Sequence, residues 1–270
     1  MFYYFGFGSN MSMASLRAKG VEPHSSRRAE LSGWRLRFNV QHFFRHEGGV
    51  GNIEQTGNPA DRVLGVLHEC PDEALERLDE AEAYGHGYDR IEAPVRPNEP
   101  EADSKGEIRA LTYVGMPGFI DNLCRPSRRY LNIILDGARS AGLDKDYIQV
   151  LASQPIHEPG EYPAFEPPPG EYPTFDQDSL AQRPLCTALY GEVFDMSGAR
   201  PLHEFLKGFF GGRDMTLFHL KRLDSSNADE TMDDIRHGRL NKAQKQYLNA
   251  YLNEYAREYR YIGRYSYHMD

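Results

Sequence analysis

The chain predicts an α+β fold built on a curled or barrel-like mixed sheet with flanking helices, followed by a smaller α+β domain. Three observations carry that expectation. Short apolar or alternating runs of strand length recur as far as Val114, beginning with the aromatic stretch Met1 to Phe7. Helical periodicity is gathered into stretches segregated from the strands, an order that suits the α+β class. Glycines also fall inside strand runs, notably Gly48, Gly49 and Gly51, as they do where bulges and close approaches line a cavity wall.

Met1 to Phe7 reads as a buried strand that Gly8-Ser9-Asn10 breaks abruptly. Glycine permits close approach to a ligand, and successive main-chain N–H groups after such a turn form a concavity for an anion. A carboxylate or oxyanion cradle and an ordinary strand-ending turn are both open readings. Ser12 to Lys19 is a short helix with Ser12 as its N-cap and Gly20 as its close. Leu31 to Val40 alternates like a strand, Gly48 to Ile53 leads into another, and Val63 to His68 is a compact β run. Pro71 and Asp72 start a helix, with Asp72 as its cap. Along it Leu75, Leu78 and Glu82 stand at i, i+3 and i+7, so this carboxylate shares the stripe that the leucines turn inward. Glu73, Glu76, Asp79 and Glu80 lie elsewhere around the helix. An inward carboxylate is costly unless paired or functional; the alternative is that Glu82 escapes to water at the helix end.

Tyr88 to Val95 and Ile108 to Val114 are further strands, joined by the polar, proline-rich loop Pro97 to Gly106. Ser127 to Ala138 is an amphipathic helix that starts after Pro126, and Lys145 to Ala152 is a shorter one. Residues 155–184 differ in kind. They repeat one phrase, Gly160-Glu161-Tyr162-Pro163-Ala164-Phe165 and Gly170-Glu171-Tyr172-Pro173-Thr174-Phe175, around Glu166 and three prolines. That composition predicts an extended, semi-rigid linker, or else a segment whose aromatics lie along a domain surface. The domains expected are therefore 1–154, a linker over 155–184, and 185–270. In the last, Leu185 to Gly198 reads as two short strands joined at Tyr190-Gly191, before helices over Leu202 to Phe209, Met215 to Lys221 and Lys242 to Tyr259.

A chain of 270 residues can bury a real core in each of two domains. Its net charge of −9 argues against nucleic acid as a principal partner, because phosphate binding draws on a basic surface. No apolar run reaches membrane-spanning length, and the aromatic start lacks the basic region and small-residue cleavage site of a signal peptide. Cys70, Cys124 and Cys186 are odd in number and have no metal-type spacing, which points to a reducing cytoplasm. No Gly-x-Ser-x-Gly elbow or phosphate loop occurs, and His24, His42, His46, His68 and His86 lack ligand spacing, so neither a metal nor a cofactor is expected.

Phe7-Gly8-Ser9-Asn10 after the first strand, Gly33-Trp34-Arg35-Leu36-Arg37-Phe38, Val63-Leu64-Gly65-Val66-Leu67, Leu78-Asp79-Glu80-Ala81-Glu82 and Tyr88 before a strand form an ordered set. In that order and spacing the chain resembles the gamma-glutamylcyclotransferase family over about its first 150 residues. The resemblance implies a lyase-class enzyme acting on a small γ-glutamyl compound, whose own α-amino group attacks the γ-carbonyl, expels an amine or amino acid and closes 5-oxoproline. Such an enzyme orients a flexible chain, moves a proton from the ammonium to the leaving amine and stabilises an oxyanion. By resemblance Glu82 is the base and then the acid, and the Phe7-Gly8-Ser9-Asn10 turn holds the α-carboxylate or the oxyanion through backbone N–H groups. The family commonly has tyrosine where Phe7 stands, so that hydroxyl is missing here. Tyr88 is placed to line the pocket or to serve as a core tyrosine, and Asn52 and Tyr113 are further pocket candidates.

The closing region resembles a different family. Tyr190-Gly191-Glu192-Val193-Phe194-Asp195-Met196-Ser197, Phe210-Gly211-Gly212-Arg213-Asp214 and Glu258 to Tyr265 are similar to a cytochrome b5-like domain of the membrane-associated progesterone receptor type. Lys207 occupies the position of that type's haem-holding tyrosine, and His203 and His219 do not match the paired histidines of true cytochromes. Two functions follow. The first is a two-domain cytoplasmic cyclotransferase; the alternative is a non-catalytic binding or interaction protein whose b5-like domain takes haem or another hydrophobic ligand.

Overall fold

Five strands close into a barrel in the first half of the chain, and a second sheet with its own core follows. The computed structural model describes residues 1–98, 106–158 and 160–267. They fall into two units, Met1–His42 with Glu47–Pro159, and Phe43–His46 with Gly160–Asp270.

In chain order the first unit comprises β1 (Phe2–Gly6), α1 (Met13–Ala18), β2 (Ser25–Ser32), β3 (Trp34–Gln41), β4 (Gly49–Gln55), β5 (Arg62–Cys70), α2 (Leu75–Ala81), β6 (Tyr88–Pro97), β7 (Ile108–Gly115), α3 (Arg128–Ser140) and α4 (Lys145–Ala152). The barrel runs β1-β5-β2-β6-β7, and β7 returns to β1 in parallel at the Tyr4–Leu111 register, while β3 and β4 pair apart as a hairpin. Strand alternation divides the apolar residues between two faces. Phe5, Leu31, Val63, Leu67, Val95 and Ala110 converge from all five strands into one buried cluster, each contributing roughly 1.5–3 kcal/mol if large. On the other face Tyr4 packs with Leu16 and Leu78 beside the two short helices, and Leu64 and Val66 pack with Leu131, Ile134 and Leu135 of α3.

Capping explains where the helices begin. Ser12 accepts from the Ser15 N–H, Ser127 from Tyr130 and Asp144 from Asp146 and Tyr147. The start of α3 is further pinned by Arg129, whose guanidinium forks onto the buried Glu47 carboxylate at 2.6–3.0 Å, with the Ser127 hydroxyl donating to it at 3.0 Å. Removing one partner of such a buried pair costs about 3–5 kcal/mol, so the direction in which Tyr130 leaves α3 is firmly set.

Several expectations need correction. Leu31 to Val40 is two strands, because Gly33 turns the chain at φ +78°, in the left-handed region. Asp72 does not cap α2: it lies in a 3₁₀ turn, Asp72–Ala74, that has no side-chain cap, and its carboxylate pairs with the Met1 ammonium at 2.5 Å. Of the loop Pro97 to Gly106, residues 99–105 lie outside the described residues.

The second unit contains β8 (Thr174–Phe175), α5 (Gln177–Ala181), β9 (Cys186–Leu189), β10 (Glu192–Asp195), α6 (Glu204–Phe210), β11 (Arg213–Asp214), α7 (Thr216–Leu220), α8 (Met232–Arg236), α9 (Lys242–Glu258) and β12 (Arg260–Tyr265). Its sheet has the order β11-β9-β10-β12-β8, and its core gathers Phe44, Phe194, Phe210, Leu248 and Tyr255. Of residues 155–184, expected as a linker or as a segment whose aromatics lie along a domain surface, those from Gly160 onward lie in this unit. The Tyr162 hydroxyl donates to Glu254 at 2.8 Å, Tyr172 meets Tyr261 edge-on at 4.7 Å, and Thr174–Phe175 pairs with β12. Prolines supply no N–H and leave their neighbours' backbone groups to side chains. Asn249 meets that need, accepting from the Phe165 N–H and donating to the Pro163 carbonyl, both at 2.8 Å.

Candidate active site

Three chain reversals meet beside β1. After Gly6 the backbone passes through Gly8, at φ −113° and ψ −136°, into one 3₁₀ turn, Ser9–Met11, whose Met11 N–H bonds to the Gly8 carbonyl at 3.1 Å. At the end of α1 Lys19 is the C-cap, three residues after the buried Leu16 and so on its face. At the end of α2 Glu82 is the C-cap, one turn after the buried Leu78, before Ala83 turns the chain at φ +51°.

Asn10, 4% exposed, joins the three. Its Oδ1 accepts from Lys19 Nζ at 2.5 Å, which fixes the orientation of the amide because an ammonium can only donate. Nδ2 then donates to Glu82 Oε1 at 2.9 Å and to the Tyr4 hydroxyl at 2.6 Å. Lys19 Nζ also reaches Glu82 Oε1 at 2.5 Å, and the side chains of Lys19 and Glu82 are only 6% and 15% exposed. The Asn10 carbonyl accepts from His68 Nε2 at 2.9 Å, so His68 Nδ1 is the acceptor for the Ser26 hydroxyl at 2.8 Å. Burial pushes the His68 imidazole down to about 4, partly opposed by that carbonyl, and the ring that supports Asn10 is neutral.

Two tyrosines frame the opposite side. The Tyr88 hydroxyl donates to the Gly51 carbonyl at 2.7 Å, and the Tyr130 hydroxyl accepts from the Gly51 N–H at 3.0 Å. A Cβ at either Gly8 or Gly51 would lie 3.0 Å from the Tyr130 oxygen, tighter than ordinary contact, so both glycines suit the hydroxyl's close seat. Burial pushes the Tyr130 phenol up to about 12 and Tyr88 well above its usual range, and the Glu82 carboxylate adds to both shifts. Both therefore stay neutral hydrogen-bonding groups near a carboxylate.

The sequence-predicted residues are thus placed as follows. Glu82, Gly8, Ser9, Asn10 and Tyr88 come together, Glu82 and Asn10 in direct contact. Phe7 is buried with its ring in the barrel cluster. Asn52 turns its amide elsewhere, donating to Asn39 at 3.0 Å and accepting from the Gly115 N–H at 2.8 Å; the Gly51 peptide beside it is what Tyr88 and Tyr130 hold. Tyr113 stacks edge-on to Tyr4 at 5.9 Å and donates its hydroxyl to Asp79 at 2.6 Å, with Arg90 closing on the same carboxylate. Lys19, Tyr4 and Tyr130 are additions the sequence reading did not make. Lys19 could have been found as the i+3 neighbour of Leu16, and Tyr130 from its place at N3 behind the Ser127 cap. Among the described residues no group of three or more His, Cys, Asp or Glu side chains could hold a metal ion, and no helix is long and apolar enough to cross a membrane.

With this geometry in hand, three comparisons bear on the chain. Residues 62–151 match the AIG2-like family. A gamma-glutamyl cyclotransferase of Aspergillus oryzae is 27% identical over 173 residues, covering 58% of this chain and 63% of that protein, short of two thirds of its length. The gamma-glutamylcyclotransferase of Mus musculus is 29% identical over 165 residues, covering 60% of this chain and 81% of that protein. Among solved structures, a gamma-glutamyl cyclotransferase aligns with a TM-score of 0.48 and 27% identity over 58% of this chain and 89% of its own.

Proposed function

We propose that the first unit converts a small γ-glutamyl compound to 5-oxoproline and a free amine, with Glu82 moving the protons. An enzyme of the cyclotransferase type is what the similarity to gamma-glutamylcyclotransferases supports. The observation that carries the mechanism is the Glu82 carboxylate standing 2.9 Å from the Asn10 amide at the turn after β1. In the reaction Glu82 takes a proton from the substrate's α-ammonium, the freed amine attacks the γ-carbonyl, and the tetrahedral oxyanion is met by N–H and hydroxyl donors of the Gly8–Asn10 turn and its tyrosines. Collapse breaks the γ-amide C–N bond, and Glu82 returns the proton to the departing nitrogen. The second proton lost by the α-nitrogen also ends on that amine, which leaves as an ammonium, so atoms and charge balance without an outside reactant.

γ-Glutamyl amino acids, γ-glutamylamines and a γ-glutamyl group protecting a larger molecule share the glutamyl half. Incubation of the full chain with one of each, followed by detection of 5-oxoproline, is expected to give product from at least one. Glu82→Gln should lower the rate by about 10²- to 10⁴-fold, the usual worth of a general acid–base group. A correctly folded chain that is silent on all three overturns the proposal.

For the second unit we propose a b5-like fold, supported by the β9–β10 hairpin turning at Tyr190-Gly191 and by α9 leading into β12. Its side chains do not fit haem ligation. Lys207 pairs with Glu204 at 2.8 Å, and the buried His203 and His219 bond to the Tyr259 and Tyr255 hydroxyls at 2.8 and 2.9 Å. The purified protein is therefore expected to lack a Soret band; a haem-like spectrum at stoichiometric intensity would refute this.

A further inference from the structure

We infer that Lys19 is a positioning residue of this site, the cation that orients Glu82 and keeps its carboxylate ionised until substrate arrives. This rests on the cyclotransferase reading for its consequence in turnover, but its physical core does not. Lys19 is nearly as buried as the core, at 6% side-chain exposure, and its ammonium reaches two acceptors at 2.5 Å, Glu82 Oε1 and Asn10 Oδ1. Because Asn10 Nδ2 also donates to Glu82 Oε1, the three side chains form a closed ring of hydrogen bonds, in which moving any one breaks two of the three.

The surroundings of Glu82 explain why a cation is needed. Among the titratable groups that feel its charge are Tyr4 from β1, Tyr88 from β6, Tyr113 from β7 and Tyr130 from α3, together with Lys19 from the end of α1. Four are phenols that stay neutral, and beyond them Asp79, joined to Tyr113, is balanced by Arg90. The support behind Asn10, His68, is neutral as well. Lys19 therefore puts a positive charge in direct contact with the carboxylate, in a place where burial alone favours the protonated acid. A glutamic acid that already holds a proton cannot take one from an ammonium. Lys19 thus sets the pH above which the base is ready, while Asn10 and Lys19 together fix which way it faces.

The test compares the full chain with Lys19→Met and Lys19→Arg. Glu82 is followed directly by carboxyl-carbon NMR, its signal identified by loss in Glu82→Gln, and by the pH profile of kcat/KM on whichever γ-glutamyl compound turns over. Lys19→Met is expected to raise the Glu82 titration midpoint by about one to two pH units and to move the acid limb of the profile by the same amount. On the acid side of the wild-type midpoint activity then falls about 10- to 100-fold, and the deficit closes as pH rises past the new midpoint. Lys19→Arg, which keeps the charge, restores both readouts. If Lys19→Met does not fold, recovery of folding in Lys19→Met/Glu82→Gln supports the pairing, and failure of that double variant while Glu82→Gln alone folds overturns it. A folded Lys19→Met with an unmoved Glu82 midpoint also overturns the inference, even if 5-oxoproline is released. A chain that turns over no γ-glutamyl compound but shows the NMR shift removes the cyclotransferase reading and leaves Lys19 in its role.

Discussion

At the residue scale the site is held together by one amide. Asn10 has three side-chain hydrogen bonds and a carbonyl bond to His68, so what happens to His68 is felt at Glu82. Burial lowers the imidazole from its ordinary 6.5 to about 4. Between those values the unfolded chain binds a proton that the folded chain refuses, and stability rises with pH through the window. The contribution is whole above pH 6.5 and is lost as pH falls toward 4, up to about 3 kcal/mol at 1.36 kcal/mol per unit. His68→Gln keeps a donor toward Asn10 and an acceptor toward Ser26 but cannot titrate. Urea unfolding followed by Trp34 fluorescence should show the wild type losing more stability than His68→Gln between pH 6.5 and 4.5; equal losses would refute the linkage. Trp34 is the chain's one tryptophan and lies against the barrel cluster of the same unit. How much of this was legible differs by residue. Glu82 stood out because a carboxylate on a leucine stripe conflicts with the stripe's purpose. His68 stood in the open alternation of a strand, where nothing in the sequence says that the Asn10 carbonyl will meet it across 58 residues. Lys19 was readable only from its place three residues after Leu16, because an ammonium at a helix C-terminus is otherwise ordinary.

At the element scale, legibility followed the contrast between apolar and polar positions. β1, β5 and β7 show dense apolar runs and β6 an alternating one, and their existence followed from the sequence. β2 did not, although it sits between β5 and β6 in the barrel. Of Ser25–Ser32 only Ala29 and Leu31 are buried, and the intervening serines, arginines and glutamate read as a loop. Pairing along eight registers with β5 supplies what its own composition lacks, the tertiary override to which strand propensity is prone. Gly33 hid the next boundary, since alternation continues across it while its left-handed backbone ends one strand and begins another. The short α2 illustrates the reverse case. Its seven residues are too few to be stable alone, so its position rests on Leu78 in the cluster with Tyr4, Leu16 and Tyr113. That same burial delivers Glu82, one turn later, to Asn10. Leu75 and Leu78 therefore predict where the acid goes better than the acidic residues around it, of which Glu73, Glu76 and Glu80 are exposed while Asp79 turns to Tyr113 and Arg90.

At the scale of the whole molecule, the two units carry buried titrating groups of opposite sign. In the second unit Asp214 ends β11 with Oδ2 buried and Oδ1 accepting the Thr216 hydroxyl at 2.6 Å. Burial outweighs the Thr216 hydrogen bonds and raises its carboxyl from 3.8 to about 6. Here the folded chain holds a proton that the unfolded chain has released, so the contribution is whole below pH 3.8 and is lost as pH rises toward 6. His68 in the first unit does the reverse over nearly the same interval, and a measurement on the whole chain would average the two away. The units need separate reporters: Trp34 for the first, and hydrogen exchange of peptides from the buried face of α9 for the second. Asp214→Asn keeps the acceptor for Thr216 and loses the titration. Its α9 amides should be better protected than wild type at pH 7, by about 2–3 kcal/mol in opening free energy, with the advantage shrinking toward zero at pH 4. Trp34 unfolding should not register the substitution at either pH. A uniform advantage at both pH values would mean that Asp214 is an ordinary ionised carboxylate in the fold, and that the two halves of the chain do not answer acid in opposite directions.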